Sequence, residues 1–197
     1  MSRAVAVGER ALRVRLSAAP SRDMVDALRA LDGVTDVVVT DAHAMVVAAT
    51  REALPEVAEV IAVVDRPSVA AEGREHVIAA RYDGADLEVA ASALGMSAEE
   101  LVSRHAAGVY RVAFVGFMPG FAYLDGLDPS LSLPRLATPR AKVPAGAVGI
   151  AGARTAVYPF ASPGGWNLIA SAVAPALFDP ATGARLALGD VVRFVPC

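Results

Sequence analysis

The sequence contains few of the residues from which metal and disulfide sites are built. It has one cysteine, Cys197, and three histidines, His43, His76 and His105, among 197 residues. A single cysteine cannot form an internal disulfide, and the histidines are too far apart in the chain for the closely spaced pairs typical of zinc sites. We therefore expect neither a disulfide framework nor a metal site.

Long apolar runs and nucleotide-binding motifs are also missing. Charged residues interrupt the alanine- and valine-rich segments before they reach the ~18 apolar residues that a membrane helix needs. Gly8, Glu9 and Arg10 break any signal-like core near the first residue. No GxxxxGK[ST] loop is present, and no GxGxxG pattern follows a predicted strand. These absences predict a cytoplasmic globular protein without membrane contact and without a recognisable nucleotide cradle.

The chain also lacks an excess of positive charge. Its net charge is −3 and its pI is about 5.6, which does not favour binding to nucleic acid. Two short predicted helices, Leu87 to Leu94 and Ala98 to Ala107, resemble a helix-turn-helix in outline. The second helix begins with Glu99 and Glu100, where a recognition helix needs hydrogen-bond donors for bases. We expect no nucleic-acid partner.

The first third of the chain alternates between strand and helix patterns. Leu12, Val14 and Leu16 alternate with arginines, which predicts a half-buried strand. Ser21 can cap a helix over Arg22 to Leu31. Two more strands and a helix that begins near Leu54 complete a β-α-β-β-α order. This order predicts a small split α/β sandwich over residues 1–70.

A polar segment with proline and glycine, Asp65 to Glu75, predicts a domain boundary. After it come a strand, the two short helices and then many short strands separated by proline and glycine turns. This pattern is typical of a closed or nearly closed β-barrel. The predicted fold class is therefore α+β, with a β-barrel domain over residues 76–197.

The stretch from Phe117 to Trp166 has the most unusual composition. It holds seven of the thirteen prolines and seven of the sixteen glycines. Proline fixes φ and glycine permits φ > 0, so their density indicates a backbone path determined turn by turn. Aromatic and aliphatic residues alternate with them, which a flexible linker would not contain. We interpret the stretch as ordered loops and short strands that line one site.

The same stretch is basic in an acidic chain. Arg135, Arg140 and Lys142 suit an anionic group such as a carboxylate or phosphate. Each arginine directly follows a proline, which favours preorganised guanidinium groups. The alternative for any one of these cations is an ordinary solvated surface position.

Four further residues in the stretch are candidates for substrate binding. Tyr123 is either a core residue or part of a stacking wall. Ser162 lacks the GxSxG pattern of a nucleophile, and with Gly164 and Gly165 it predicts a turn whose N–H groups bind an anion. Three other aromatic side chains of the stretch are predicted to lie in the core: Phe117, Phe121 and Trp166.

Four motifs in this stretch resemble a known family in their order and spacing. They are PGFAYL from Pro119, PRLATPRAKVPAG from Pro134, VGIAG from Val148 and SPGGW from Ser162. They resemble the B-subunit family of prokaryotic 5-oxoprolinase, also called allophanate hydrolase subunit 1, which includes an inhibitor of a sporulation histidine kinase. The resemblance continues into GERALRV near the N-terminus and covers nearly the whole chain.

This resemblance implies a function and partners. It implies a cyclophilin-like form for the barrel and a place in a complex that opens 5-oxo-L-proline to L-glutamate with ATP and Mg²⁺. It implies as partners a related C subunit, similar to allophanate hydrolase subunit 2, and an A subunit, with a small-molecule acid as substrate. His105 matches a family histidine, and we predict it and Arg140 as catalytic residues. The alternatives are a regulatory protein like the kinase inhibitor, or one component of an allophanate or urea-amidolyase-type hydrolase.

The sequence also departs from the family pattern. Ala170, Ser171 and Ala172 stand where the pattern has a cationic or imidazole side chain, and Arg154 replaces a glutamine. If the replaced groups hold substrate, the inherited activity is altered. The fold does not depend on them.

Overall fold

A computed structural model describes residues 4–65, 73–173 and 176–197. These residues belong to two compact units, divided between Glu72 and Gly73. Most of the predicted boundary segment, residues 66–72, lies outside the described residues. The α+β fold class with a β-barrel, predicted from the sequence, is confirmed.

The first unit is a four-stranded antiparallel sheet with two helices. The elements of this unit are β1 Ala4–Val7, β2 Ala11–Arg15, α1 Arg22–Arg29, β3 Val34–Val39, β4 His43–Ala48 and α2 Leu54–Val64. The strands pair in the order β1-β2-β4-β3, with a register that places Val14 opposite Ala44.

Local sequence signals position both helices of this unit. The Ser21 side chain accepts a hydrogen bond from the Met24 backbone N–H at 3.2 Å and so caps α1, as predicted. Met24 and Leu28 on α1 are buried, and Val57 and Ile61 at helical spacing on α2 are buried as well. The core of the unit therefore lies on the helix side of the sheet.

The second unit is built around a closed seven-stranded barrel. Its strands pair in the order β10-β7-β6-β15-β5-β12-β9, and β9 closes the ring by pairing with β10. The β5 and β15 pair is parallel, and the others are antiparallel. The barrel strands are β5 Glu75–Arg81, β6 Tyr110–Val115, β7 Ala122–Asp125, β9 Ala147–Ala151, β10 Arg154–Val157, β12 Asn167–Ala172 and β15 Val191–Pro196.

Two helices and four short strands accompany the barrel. The helices have the predicted bounds, and Ser97 caps the second through a bond from the Glu100 N–H. Two of the short strands, β8 and β11, pair with each other outside the barrel. The added elements are α3 Leu87–Leu94, α4 Ala98–Ala107, β8 Arg140–Val143, β11 Ser162–Gly164, β13 Phe178–Asp179 and β14 Gly183–Ala184.

The second unit has two hydrophobic cores. The barrel core fills the interior of the ring and includes Leu124 and Ile150. The outer core lies on the other side of the barrel wall, around Phe121 and Trp166. All five residues of β9 are buried because alternate residues face the two cores. The outer core supports the candidate functional site.

In the ranges that the structure describes, no helix has both the length and the apolar character needed to cross a membrane.

Candidate functional site

The stretch 117–166 lines two clefts on the second unit. The larger cleft has a volume of about 430 Å³, and the smaller cleft has a volume of about 220 Å³. Tyr123, Arg135 and Trp166 line both clefts. The clefts therefore adjoin at one cation and two aromatic rings. These three side chains are therefore available to a ligand in either cleft.

Aromatic rings form the apolar side of the clefts. Trp166 is 5% exposed and belongs to the outer core, as predicted, yet it also lines both clefts. The rings of Tyr123 and Trp166 lie 5.9 Å apart at 62°, and Phe121 contacts both edge-on. Such mutual packing holds the rings in fixed positions. Tyr123 serves as both a packing residue and a cleft wall.

Arg135 is the predicted cation that the structure places in the clefts. Its side chain is exposed and makes no ion pair with the described residues. The backbone on either side is fixed, because Asn167 Nδ2 donates to the Pro134 carbonyl at 2.9 Å and the Leu136 N–H donates to the Gly165 carbonyl at 2.7 Å. The loop therefore presents a positive charge from an anchored backbone, which suits an anionic ligand.

Arg140 lies in a different environment from Arg135. Its Nη2 donates to Oδ1 of Asp86 at 2.5 Å, and Oδ2 of the same carboxylate accepts from the Leu168 N–H at 2.7 Å. Its Nη1 is buried and has no hydrogen-bond partner among the described residues. Arg140 lines neither cleft. Its charge is already compensated, so its predicted catalytic role has no support from the cleft geometry.

The serine and glycine segment folds differently from the prediction. The sequence predicted an anion-binding turn, whereas residues Ser162–Gly164 form strand β11, which pairs with β8. This part of the prediction is wrong because the pairing partner lies about twenty residues away and is invisible to local patterns. Gly164 and Gly165 line the smaller cleft. Ser162 Oγ is buried and has no partner among the described residues.

Lys142 on β8 is exposed and lines neither cleft. Its position is therefore that of an ordinary solvated surface lysine, and the cleft geometry does not support the substrate-binding prediction.

His105 is enclosed in the barrel core. The Tyr82 hydroxyl donates to Nδ1 at 2.8 Å, and Nε2 lies 3.0 Å from Oγ1 of Thr155. The Thr155 hydroxyl donates to the Gly149 carbonyl at 3.1 Å, so it accepts from Nε2. This assigns the neutral Nε2–H tautomer. Both ring nitrogens are engaged inside the barrel.

Burial sets the charge state of this histidine. Desolvation lowers the pKa of His105 to about 3, so the ring is neutral at physiological pH. The aromatic rings of Tyr82, Tyr110 and Phe194 surround it. The structure does not bring His105 together with Arg135 in the clefts. Its proton-transfer role stays a prediction, and its contacts are those of a packing residue.

Electrostatics connect Arg135 with a buried phenol. Burial raises the pKa of Tyr158, while the hydrogen bond with the Trp166 backbone and then the positive charge of Arg135 oppose this rise. The guanidinium of Arg135 therefore acts on groups in the outer core as well as on the cleft.

Arg154, a departure from the family pattern, lines the larger cleft. Its Nε donates to Oδ1 of Asp125 at 2.6 Å, and its guanidinium lies 5.1 Å from the ring centre of Phe114. A carboxylate and an aromatic face thus already satisfy this cation. It differs from Arg135 in the same cleft, which makes it a natural control.

Sequence reasoning missed two anchoring residues and misplaced one aromatic. Asp86 lies directly before α3, a position typical of a helix cap, but its side chain makes no capping bond. It accepts instead from Arg140 and from the Leu168 N–H of β12. Asn167 fixes the loop of Arg135, and only its place directly after the SPGGW motif could have indicated this. Phe117 was predicted to lie in the core, which is wrong: it is 62% exposed and lines the smaller cleft.

The clefts do not fit a nucleoside triphosphate or its magnesium ion. A triphosphate needs several positive charges or a cradle of backbone N–H groups. Of the arginines that line the clefts, Arg154 is paired with Asp125, whereas Arg135 has no ion pair within residues 73–173 and 176–197. The Ser162–Gly164 segment is a paired strand. No group of three or more potential ligands for a metal occurs in the described parts of the chain. The clefts suit a smaller anion.

Comparison with known proteins identifies relatives of this chain. A family model described as "Carboxyltransferase domain, subdomain C and D" matches residues 3–188. The B subunit of 5-oxoprolinase from Escherichia coli O157:H7 is 50% identical over 115 residues, which are 57% of this chain and 52% of that protein. The chain therefore spans about half the length of the curated relatives it matches.

Solved structures share the fold. The crystal structure of TTHA0988 matches 95% of this chain and 40% of its own, with 35% identity and a TM-score of 0.81. The urea amidolyase of K. lactis matches 98% of this chain and 15% of its own, with a TM-score of 0.73. At 13% identity, this second likeness is one of fold alone and gives no support to the predicted urea-amidolyase alternative.

Proposed function

The chain belongs to the family of carboxyltransferase domains, subdomain C and D, and we propose that it is one component of a 5-oxoprolinase-type amidase complex. The relatives that are named as the B subunit of 5-oxoprolinase support this assignment. The complex opens the lactam of 5-oxo-L-proline to L-glutamate and uses ATP. The proposal includes a cytoplasmic hetero-oligomer with a C subunit and an A subunit as partners.

One observation carries the proposal for this chain. Arg135 stands on an anchored loop, without an ion pair to the described residues, beside the rings of Trp166 and Tyr123. A lactam acid presents a carboxylate on a compact ring. The guanidinium pairs with the carboxylate, and the aromatic walls pack against the ring.

The volume of the smaller cleft agrees with a ligand of this size. Drug-sized ligands occupy clefts of about 300–1,000 Å³, and 220 Å³ suits a smaller molecule. The walls exclude water from the apolar part of the ring and fix the orientation of the amide carbonyl. This chain thus binds and orients the acid.

ATP use belongs to the complex in this proposal. Because the described residues of this chain do not fit a triphosphate, we place the nucleotide site on a partner protein or at a junction with one. Opening the lactam breaks the amide C–N bond and adds water, and the residues named above hold the substrate for that step without touching the nucleotide.

The test is turnover by the assembled complex. The chain is co-expressed with the genes for its partner subunits, and ATP-dependent release of glutamate from 5-oxo-L-proline is measured. Substitution of Arg135→Gln is expected to raise KM about tenfold or more with kcat little changed, because it removes a charge-assisted contact made in both ground and transition states. A folded complex that releases no glutamate would contradict the proposed function.

A further inference from the structure

The loop that joins β6 to β7 holds a strained turn at the edge of the smaller cleft. Phe117 has φ +70°, and it is the non-glycine residue with positive φ in the described ranges 4–65, 73–173 and 176–197. The Met118 N–H donates to the Gly116 carbonyl at 2.9 Å across it. A bond from residue i+2 to residue i around a positive φ defines the rare, strained form of the γ-turn.

Glycine would adopt this turn without strain, yet the position holds a large aromatic ring. Gly116 and Gly120 lie in the same loop, so the loop uses glycine elsewhere. Strained non-glycine backbone of this kind clusters at active sites and ligand clamps, which motivates a functional hypothesis for this side chain.

Packing does not account for the Phe117 ring. The residue is 62% exposed, although its ring meets Phe121 edge-on with centres 5.4 Å apart. A ring so exposed gains little from burial. It lines the smaller cleft together with Arg135, the cation without an ion pair to described residues. The exposed ring and the unpaired charge therefore face one cavity of about 220 Å³.

We propose that Phe117 is an aromatic clamp that packs on the apolar body of a small carboxylic acid while Arg135 holds the carboxylate. The ligand class is a short acid whose carboxylate is attached to a compact ring or flat apolar group. This inference rests on the proposed function for the identity of the natural acid, a cyclic amide acid. It does not rest on it for the existence of the subsite.

The clamp predicts that one substitution weakens ligand binding but leaves stability nearly unchanged. In Phe117→Gly, relief of the positive φ offsets the lost contact with Phe121, so the melting temperature is expected to stay within about 3 °C of wild type. Ligand binding is expected to weaken about tenfold, because the ring contact is lost. Phe117→Tyr restores the ring and is expected to bind within about threefold of wild type.

Binding can be measured on the purified chain through its own fluorescence. Trp166 is the sole tryptophan and lines both clefts. The probes are 5-oxo-L-proline and cyclopentanecarboxylate, which share a carboxylate on a five-membered ring. Phe160→Gly is the matched control, because Phe160 is also an exposed aromatic in an edge-on ring pair, with Phe178, but lines neither cleft.

The outcomes separate the clamp from the proposed function. If cyclopentanecarboxylate binding depends on Phe117 but the complex does not turn over 5-oxo-L-proline, the clamp is supported and the proposed function is contradicted. If Phe117→Gly changes neither turnover nor binding, the clamp is contradicted and the proposed function stands. The clamp is also overturned if the wild-type chain binds neither acid, or if Phe160→Gly weakens binding as much as Phe117→Gly.

Discussion

The barrel core around His105 and the clefts around Trp166 both contain aromatic rings and a nitrogen-bearing side chain. They differ in whether that side chain has partners within the described residues. The barrel core places His105 among aromatic rings, and the clefts place Arg135 beside the rings of Tyr123 and Trp166. In the barrel core, Tyr82 and Thr155 engage both nitrogens of His105. In the clefts, Arg135 has no ion pair with the described residues.

This difference indicates where a ligand can bind. A closed hydrogen-bond chain stabilises the fold and leaves no capacity for another molecule. An anchored cation with no internal partner can give its full interaction to a ligand. The contacts of His105 are therefore those of a packing residue, whereas the lack of an ion pair to the described residues supports the proposed binding role of Arg135.

The largest expected effect comes from acid. Because the folded state keeps His105 neutral down to a pKa of about 3 while the unfolded chain binds the proton near pH 6.5, stability is complete above about pH 6.5 and decreases as the pH falls below it. Between about pH 6.5 and pH 4.5, this one group should remove about 2 kcal/mol from the free energy of unfolding.

Chemical denaturation at a series of pH values checks this expectation. The variant His105→Leu should be less stable at neutral pH, because Tyr82 and Thr155 lose their partner. It should also lose this part of the pH dependence, whereas Gly165→Ala should keep it. If His105→Leu shows the wild-type pH dependence, the histidine is not held neutral in the fold, and the contrast between the two regions fails.

A second substitution pair sharpens the comparison on the side of the clefts. A Cβ at Gly164 would overlap the phenol of Tyr158, whereas a Cβ at Gly165 would meet Pro139 at 3.6 Å, an ordinary contact. Gly164→Ala is therefore expected to lower the free energy of unfolding by about 1–3 kcal/mol. Gly165→Ala should change it by about 0.5 kcal/mol or less.

Urea denaturation of the two variants measures both values. If the two alanine substitutions change the free energy of unfolding equally, the outer core beneath the smaller cleft can rearrange at little cost. The cleft would then not be a preorganised site.

Local patterns predicted much of the fold, because the elements concerned depend on neighbours in the sequence. Ser21 and Ser97 begin helices as their spacing indicates. Gly95 ends α3 in the left-handed conformation that glycine adopts readily. Gly108 is the C-cap of α4 with an extended conformation instead, and a Cβ there would overlap the Tyr110 ring.

The site could be predicted only in part, because its contacts join distant residues. The basic and aromatic character of the stretch located the clefts and Arg135. The pairing of Arg140 with Asp86 spans 54 positions, and that of His105 with Thr155 spans 50. Periodicity carries no information at such distances. Phe117 was predicted to be buried because hydrophobicity alone does not reveal a strained, exposed turn.

The most direct test of the account is a titration of the purified chain with 5-oxo-L-proline, followed through Trp166 fluorescence. Arg135→Gln is expected to weaken binding about tenfold or more, because it removes a charge-assisted contact. Arg154→Gln, in the same cleft but already bonded to Asp125, should weaken it by less than about threefold. If wild type and Arg135→Gln bind the acid equally well, the clefts are not the binding site.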